Sequence, residues 1–214
     1  MPFILNQTNS IANQFLAELR DAEIQQDKGR FRRNQQKLGE ILAYEISKTF
    51  TYTDSEVTTP LGIANINLPD YQPVLATILR AGLPFHQGFM NYFEQSESAF
   101  VTACRKTKKN GSFTIQVDHI SNPNLDGKTL IIADTMLASG QSLVNVCKEL
   151  MAQYKITQLH IAAVIASTVG IAHVRANLPK AKIWVCAVDD EMTSKSYIVP
   201  GLGDAGDLAF GEKV

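Results

Sequence analysis

Apolar positions recur at helical spacing twice in the first fifty residues. Ala12, Phe15, Leu16, Leu19 and Ala22 lie three or four apart and predict a helix over 9–26, capped by Asn9 or Ser10. Phe31, Leu38, Ile41, Leu42, Ile46 and Phe50 predict a second over 31–50, and Asp27-Lys28-Gly29-Arg30 reads as a break between them. From 51 to 72 the period is lost. Pro60, Gly62 and Pro69 there predict short strands and turns.

Beyond residue 73 the pattern changes. Short apolar runs at 74–79, 99–104, 129–133, 160–166 and 183–188 alternate with helical patterns at 85–93, 142–154 and 169–177. No element is read over 113–128. Strands alternating with helices predict an α/β fold, a mainly parallel central sheet flanked by helices. The expected organisation is one domain over 1–214: N-terminal helices and short strands in 1–72, the α/β core in 73–188, and a C-terminal loop in 189–214. In such sheets ligands sit beyond the C-terminal ends of the strands, which points to the loops at 80–82, 105–112, 134–142 and 189–206.

Composition narrows the class. With 45% hydrophobic and 19% charged residues in 214, the chain is neither disordered nor a coiled coil. Twenty basic against 21 acidic residues, net −1, exclude binding nucleic acid by bulk charge and leave room only for a local basic patch. Cys104, Cys147 and Cys186 are odd in number, far apart and without a CxxC, so core packing is expected rather than zinc or disulfides. His86, His119, His160 and His173 form no HxxxH or HExxH, with His119 expected in a loop and His160 in a core strand. The N-terminus has no basic n-region, and no apolar run approaches the ~20 residues of a membrane span, so a cytoplasmic protein is expected.

Chemistry gathers at the expected strand ends. In 130–142 a hydrophobic strand ends in Asp134, small residues follow, and a helix begins near Gly140. The free N–H groups of that helix start, with the Ser139 and Ser142 hydroxyls, suit a phosphate. The same letters also suit an ordinary capped βα turn. Arg80 follows one strand and Arg105 another, the latter opening the run Arg105-Lys106-Thr107-Lys108-Lys109-Asn110-Gly111. Each reads as a ligand arginine or as a surface one, and together with a phosphate cradle they suggest more than one phosphate. Gly201, Gly203 and Gly206 satisfy GxGxxG, but too little chain follows for a βαβ unit, so a loop whose backbone touches a small ligand is expected. Arg30, Arg32 and Arg33 read as a solvated helix end or a binding patch.

These segments resemble a known family. ADTMLASGQS (133–142) is similar to the phosphoribosyl-diphosphate loop of type I phosphoribosyltransferases, and more narrowly to that of the uracil phosphoribosyltransferase family. ILRAG (78–82) resembles that family's pyrophosphate loop, IVPGLGDAGD (198–207) its uracil-binding loop, and LAYE (42–45) and TPLG (59–62) two further segments. The resemblance implies a type I phosphoribosyltransferase fold with a small hood from the N- and C-terminal segments. The implied reaction is uracil plus 5-phospho-α-D-ribose 1-diphosphate (PRPP) giving UMP and diphosphate. It gives catalytic roles to Asp134, Arg80 and Arg105. PRPP would be held by those three with Thr135, Met136, Leu137, Ala138, Ser139, Gly140, Gln141, Ser142 and Asp204. Uracil would be held by Ile198, Gly203, Asp204 and Ala205. Mg²⁺ would be bound mainly through the donor's diphosphate and water, without a protein metal cage. GTP is a candidate effector, and apolar positions on the first two helices suggest a homo-dimer. Thr135, Gln141, Leu208 and Lys106-Thr107 depart from the family's usual letters. The rival reading is a phosphoribosyltransferase-fold regulator that senses nucleotides and binds RNA through Arg30–Arg33 and Lys106–Lys109.

Overall fold

The computed structural model describes residues 1–107 and 113–213, with side chains for all of these except 103–107 and 113–117. A two-residue strand, β1 (Phe3–Ile4), precedes helix α1 (Ala12–Arg20), which buries Ala12, Leu16 and Leu19. The helix expected over 9–26 ends early because Asp21 is extended. The Asp21 carboxylate accepts the N–H groups of Glu23 and Ile24 at 2.9 Å and starts a separate 3₁₀ turn, Ile24–Gln26. Helix α2 (Lys28–Ser47) starts before the expected 31. The segment read as a break is its cap: Asp27 accepts the Arg30 N–H at 2.9 Å.

Strands β2 (Tyr52–Thr59) and β3 (Gly62–Pro69) pair as an antiparallel hairpin outside the main sheet. The hairpin leaves Leu61, Ile63, Ile66 and Leu68 exposed. The core elements follow in alternation: β4 (Val74–Leu79), α3 (Leu83–Tyr92), β5 (Ser98–Thr107), β6 (Phe113–Ser121), β7 (Thr129–Leu137), α4 (Gln141–Gln153), β8 (Gln158–Ser167), α5 (Thr168–Asn177) and β9 (Lys182–Asp189). Among the described residues they form a seven-stranded sheet in the order β1-β9-β8-β7-β4-β5-β6, parallel throughout except for β5 with β6.

Both faces of the sheet are covered, which explains why its strands read as unbroken apolar runs. Ile131, Ala133, Ala162, Val164, Trp184 and Cys186 face the side occupied by α1, α2 and α3. Leu130, Ile132, Ile161, Ala163, Ile183 and Val185 face α4 and α5. Phe31, Leu38, Leu42, Ala43 and Ile46 of α2 are all spent in the first of these cores. The apolar positions that suggested a dimer through the first two helices therefore serve this chain's own interior. His160 is buried as expected, accepting the Trp184 Nε1–H at 3.1 Å through Nδ1, whereas His119 lies on β6 and not in a loop.

The last part of the chain folds over the first core. It contains β10 (Glu191–Met192), β11 (Ile198–Val199), which pairs with it, and a short helix α6 (Ala205–Phe210). Ile198, Leu202, Ala205 and Ala209 join the cluster of α1 and α2.

Candidate functional site

The parallel strands β4 and β7 are neighbours, so their C-terminal ends bring Arg80 and Asp134 to one edge of the sheet. Asp134 does not end its strand as expected. β7 continues to Leu137, and Asp134 stays in register with Ala163 of β8. Its side chain is half-buried, and Oδ1 accepts the Thr135 N–H at 2.7 Å. No cation among the described residues pairs with it. Burial pushes its carboxyl up to about 6, against the opposing pull of the Thr135 and Met136 N–H groups.

Strand alternation turns Thr135 the other way. It is fully buried, and its hydroxyl donates to the Ala81 carbonyl at 2.6 Å, tying β7 to the residue after Arg80. The side chain expected to touch PRPP at this position instead braces the loop from behind. Past Leu137 the chain turns through Ala138, Ser139 and Gly140. Gly140 has φ of 74°, and a Cβ there would come within 3.0 Å of the Gly170 carbonyl. The Ser167 hydroxyl donates to the Ala138 carbonyl at 2.6 Å and accepts the Gly170 N–H at 2.8 Å, fixing the loop to the start of α5. Gly140 supplies no side-chain cap to α4, so the N–H groups of the first turn have no partner within the helix and present a positive end to the cleft. The Gln141 side chain is exposed and is not among the cleft-lining groups.

Arg80 lies just behind this cleft, after a cis Leu79–Arg80 peptide. Its guanidinium donates to Asp207 Oδ1 at 3.0 Å and to the Gly211 carbonyl at 3.3 Å. Its Nε is buried and has no partner. The side chain of Arg105 lies outside the described residues. Its backbone is on β5, opposite Ile115 of β6, and not in a loop, because the strand runs on to Thr107. The expected loop positions 108–112 lie outside the described residues.

The C-terminal segment supplies the other wall. Ile198 is buried on β11, and the chain then turns through a cis Val199–Pro200 peptide, Gly201 (φ 58°) and Gly203 (φ 91°). Asp204 lines the cleft, yet its Oδ1 is engaged in capping α6, accepting the N–H groups of Gly206 and Asp207 at 3.0 and 3.1 Å. The one ionisable side chain among the four residues expected to hold uracil is thus partly committed to its own helix.

A single cleft joins the two walls. Asp134, Met136, Leu137, Ala138, Ser139, Gly140 and Ser142 line one side, and Ile198, Gly203, Asp204 and Ala205 the other. Ala81, Leu143, Ser196, Tyr197 and Gly206 also line it and were not among the expected site residues. Tyr197 could have been found from its place beside Ile198. Ser196, at φ of 63°, leaves no mark in the sequence.

Two of the three arginines of the basic spot on α2 are used within the fold. Arg30 pairs with Glu18 at 2.8 Å, and the Arg30 and Asn34 hydrogen bonds hold the Glu18 carboxyl far below the usual range. Arg32 donates to the Ala209 carbonyl at 2.6 Å and lies over the Phe210 ring. Neither is a free cation, and nothing among the described residues favours the regulator; the side chains of Lys106–Lys109 lie outside them. No helix among the described residues is long and apolar enough to cross a membrane.

The family model described as uracil phosphoribosyltransferase matches residues 6–212. A uracil phosphoribosyltransferase of Porphyromonas gingivalis is 49% identical over 211 residues, 98% of each chain. One of Methanothermobacter thermautotrophicus is 38% identical over 187 residues, covering 86% of this chain and 85% of that one. Among solved structures, the AQ2163 protein of Aquifex aeolicus superposes over 100% of both chains with a TM-score of 0.87 at 26% identity. A hypoxanthine phosphoribosyltransferase of Staphylococcus aureus shares the fold, with a TM-score of 0.51 at 12% identity over 75% of this chain and 76% of that one.

Proposed function

This chain belongs to the uracil phosphoribosyltransferase family, and on that premise we propose that it is an enzyme of pyrimidine salvage, joining uracil to PRPP to give UMP and diphosphate. The observation that carries the reading is the shared cleft, where Asp134 and the loop to Ser142 face Ile198 and the Gly203–Ala205 turn. We read 1–214 as one phosphoribosyltransferase domain, since both cores are built on the same sheet.

In the reaction the N1–C1′ bond forms as the bond from C1′ to the diphosphate oxygen breaks, and the N1 proton passes to the departing diphosphate or to water. Positive charge grows on the ribose and negative charge on the leaving group, so the work is positioning and electrostatics. Asp134, ionised above pH ~6, faces the ribose and favours the cationic ring. The backbone N–H groups of 138–142, at the positive end of α4, hold the 5′-phosphate and orient C1′. Arg80, with its unpartnered Nε, takes the diphosphate, and Arg105 is assigned to the same group. The backbone around Ile198 and Gly203–Ala205 holds uracil.

No three His, Cys, Asp or Glu side chains gather into a metal cage among the described residues. An orphaned cationic donor beside the cleft suits an anion, and this fits a Mg²⁺ bound mainly by the diphosphate and water. When bound, it neutralises charge on the leaving group.

The test is incubation of the folded protein with labelled uracil, PRPP and Mg²⁺. UMP and diphosphate should appear in equal amounts, and no UMP overturns the reading. Repeating it with GTP tests GTP as an effector. We also propose a cytoplasmic homo-oligomer, with the exposed Ile66 and Leu68 on one face of the β2–β3 hairpin as the supporting surface. Sedimentation of an Ile66→Ser/Leu68→Ser variant, expected to lighten the particle, checks it.

A further inference from the structure

Arg20, the last residue of α1, sits outside the cleft and touches the C-terminal loop from behind. Its guanidinium grips Asp189, at the end of β9, with both arms: Nη1 to Oδ2 at 2.8 Å and Nη2 to Oδ1 at 2.9 Å. Nη1 also donates to the Gly201 carbonyl at 3.0 Å, and the Gly201 N–H donates to Asp189 Oδ2 at 2.9 Å. Both backbone groups of Gly201 are therefore fixed by one ion pair. Gly201 can accept that hold only as glycine, because a Cβ there would lie 2.2 Å from the Ile198 carbonyl. Arg32 on α2 fixes the far end of the same segment through the Ala209 carbonyl at 2.6 Å.

The position of this pair bears on its role. Asp189 is 8% exposed, and an ion pair removed from water contributes little stability for its desolvation. It meets Gly201 at the apex of a turn whose two flanks, Ile198 and Gly203, line the cleft, while Pro200, Gly201 and Leu202 do not. A base read by backbone N–H and C=O groups is matched only while that backbone holds its place, since no side chain can rotate to compensate. A fork-shaped guanidinium on a planar carboxylate fixes direction as well as distance.

We propose that Arg20, acting through Asp189, is a positioning residue for base recognition: it sets the Ile198–Gly203 turn and so governs the affinity and choice of the base without touching it. The proposal rests on the reading of this turn as the uracil-binding wall.

The test compares wild type with Arg20→Ala and Arg20→Lys. Arg20→Ala should raise KM for uracil about tenfold or more and narrow the preference for uracil over cytosine, with PRPP binding changed by less than about twofold. Arg20→Lys keeps the charge but loses the fork, and should fall between the two. Hydrogen exchange of the 198–206 amides, which needs no substrate, should quicken in Arg20→Ala. If Arg20→Ala only lowers the melting temperature, leaving uracil KM, base preference and loop exchange unchanged, the proposal is overturned. If wild type makes no UMP, the functional reading falls by itself, and the exchange measurement still decides whether the clamp holds the turn.

Discussion

The donor-side wall of the cleft comes from one continuous stretch, strand β7, a turn and helix α4, over 129–153. The base-side wall comes from a loop whose longest regular element is the six-residue α6. The first is braced by the adjoining elements of the sheet, such as Ser167 on the Ala138 carbonyl and Thr135 on the Ala81 carbonyl. The second is held from behind by arginines of the two N-terminal helices. The chemistry divides in the same way. The donor wall offers a carboxylate, the N–H groups at the start of α4 and a nearby guanidinium. The base wall offers mostly backbone, with Asp204 half-committed to a cap. The donor wall can thus meet charge that changes during the reaction, whereas the base wall can select a fixed hydrogen-bond pattern.

The largest effect tests the base wall. Uracil presents acceptors at O2 and O4 and a donor at N3, and cytosine reverses two of these. Each mismatched buried group costs roughly 1–3 kcal/mol. Two should separate the bases by about 10²–10⁴ in kcat/KM, read in a competition assay with cytosine, thymine and hypoxanthine. Preference for cytosine or a purine would break the comparison outright.

Asp134→Asn tests the donor wall and should lower kcat on the order of 10²-fold with the fold intact. The pH profile sharpens it. A carboxyl raised to about 6 is protonated below that pH, so wild-type kcat/KM should fall on the acid side more steeply than the variant's, whose remaining fall reports the phosphates of PRPP, with a second pKa near ~6. Stability should move the opposite way. Between the ordinary 3.8 and about 6 the folded state holds the extra proton, so this group's contribution worsens as pH rises through that window. Asp134→Asn should therefore raise the melting temperature at pH 8, by up to about 3 kcal/mol of stability, and give no gain below pH ~4. An unchanged kcat, or a loss of stability at pH 8, would contradict the role.

Arg80→Ala should weaken PRPP by roughly 1.5–3 kcal/mol, about 10- to 100-fold, and uracil much less. Its pair with Asp207 is about one-third exposed on each side and adds little to the fold. Equal loss of both substrates, measured by direct binding, would show that the two walls are not separate. The smallest effect belongs to Ser167→Ala. Losing the cap of α5 and the brace on Ala138 should cost about 1 kcal/mol of stability and raise KM for PRPP severalfold, with uracil KM unmoved.

Most of the α/β core was legible because its strands are buried on both faces and its helices on one. The α2 start was misread because Asp27-Lys28-Gly29-Arg30 has the composition of a linker, although Asp27 is a good cap. β6 went unread, despite alternating Phe113, Ile115 and Val117, because a charge run precedes it and masks the hairpin. The letters of both cleft loops were visible, but their supports were not. Ser167 behind Ala138, Thr135 on Ala81 and Arg20 on Asp189 are tertiary contacts between residues that look ordinary where they stand.

The arginine grips join residues far apart along the chain: 169 from Arg20 to Asp189, 181 from Arg20 to Gly201 and 177 from Arg32 to Ala209. Ser167 reaches Ala138 across only 29. Closing a long loop costs more chain entropy than closing a short one, and contacts of long sequence separation slow folding. During synthesis the strand, turn and helix that meet the phosphates can assemble while the last residues are still being added. The turn that meets the base, and the Asp207 and Gly211 partners of Arg80, join only when residues 189–211 return to α1, α2 and the end of β4, so the phosphate loop has its support before the base pocket and the diphosphate arginine have theirs.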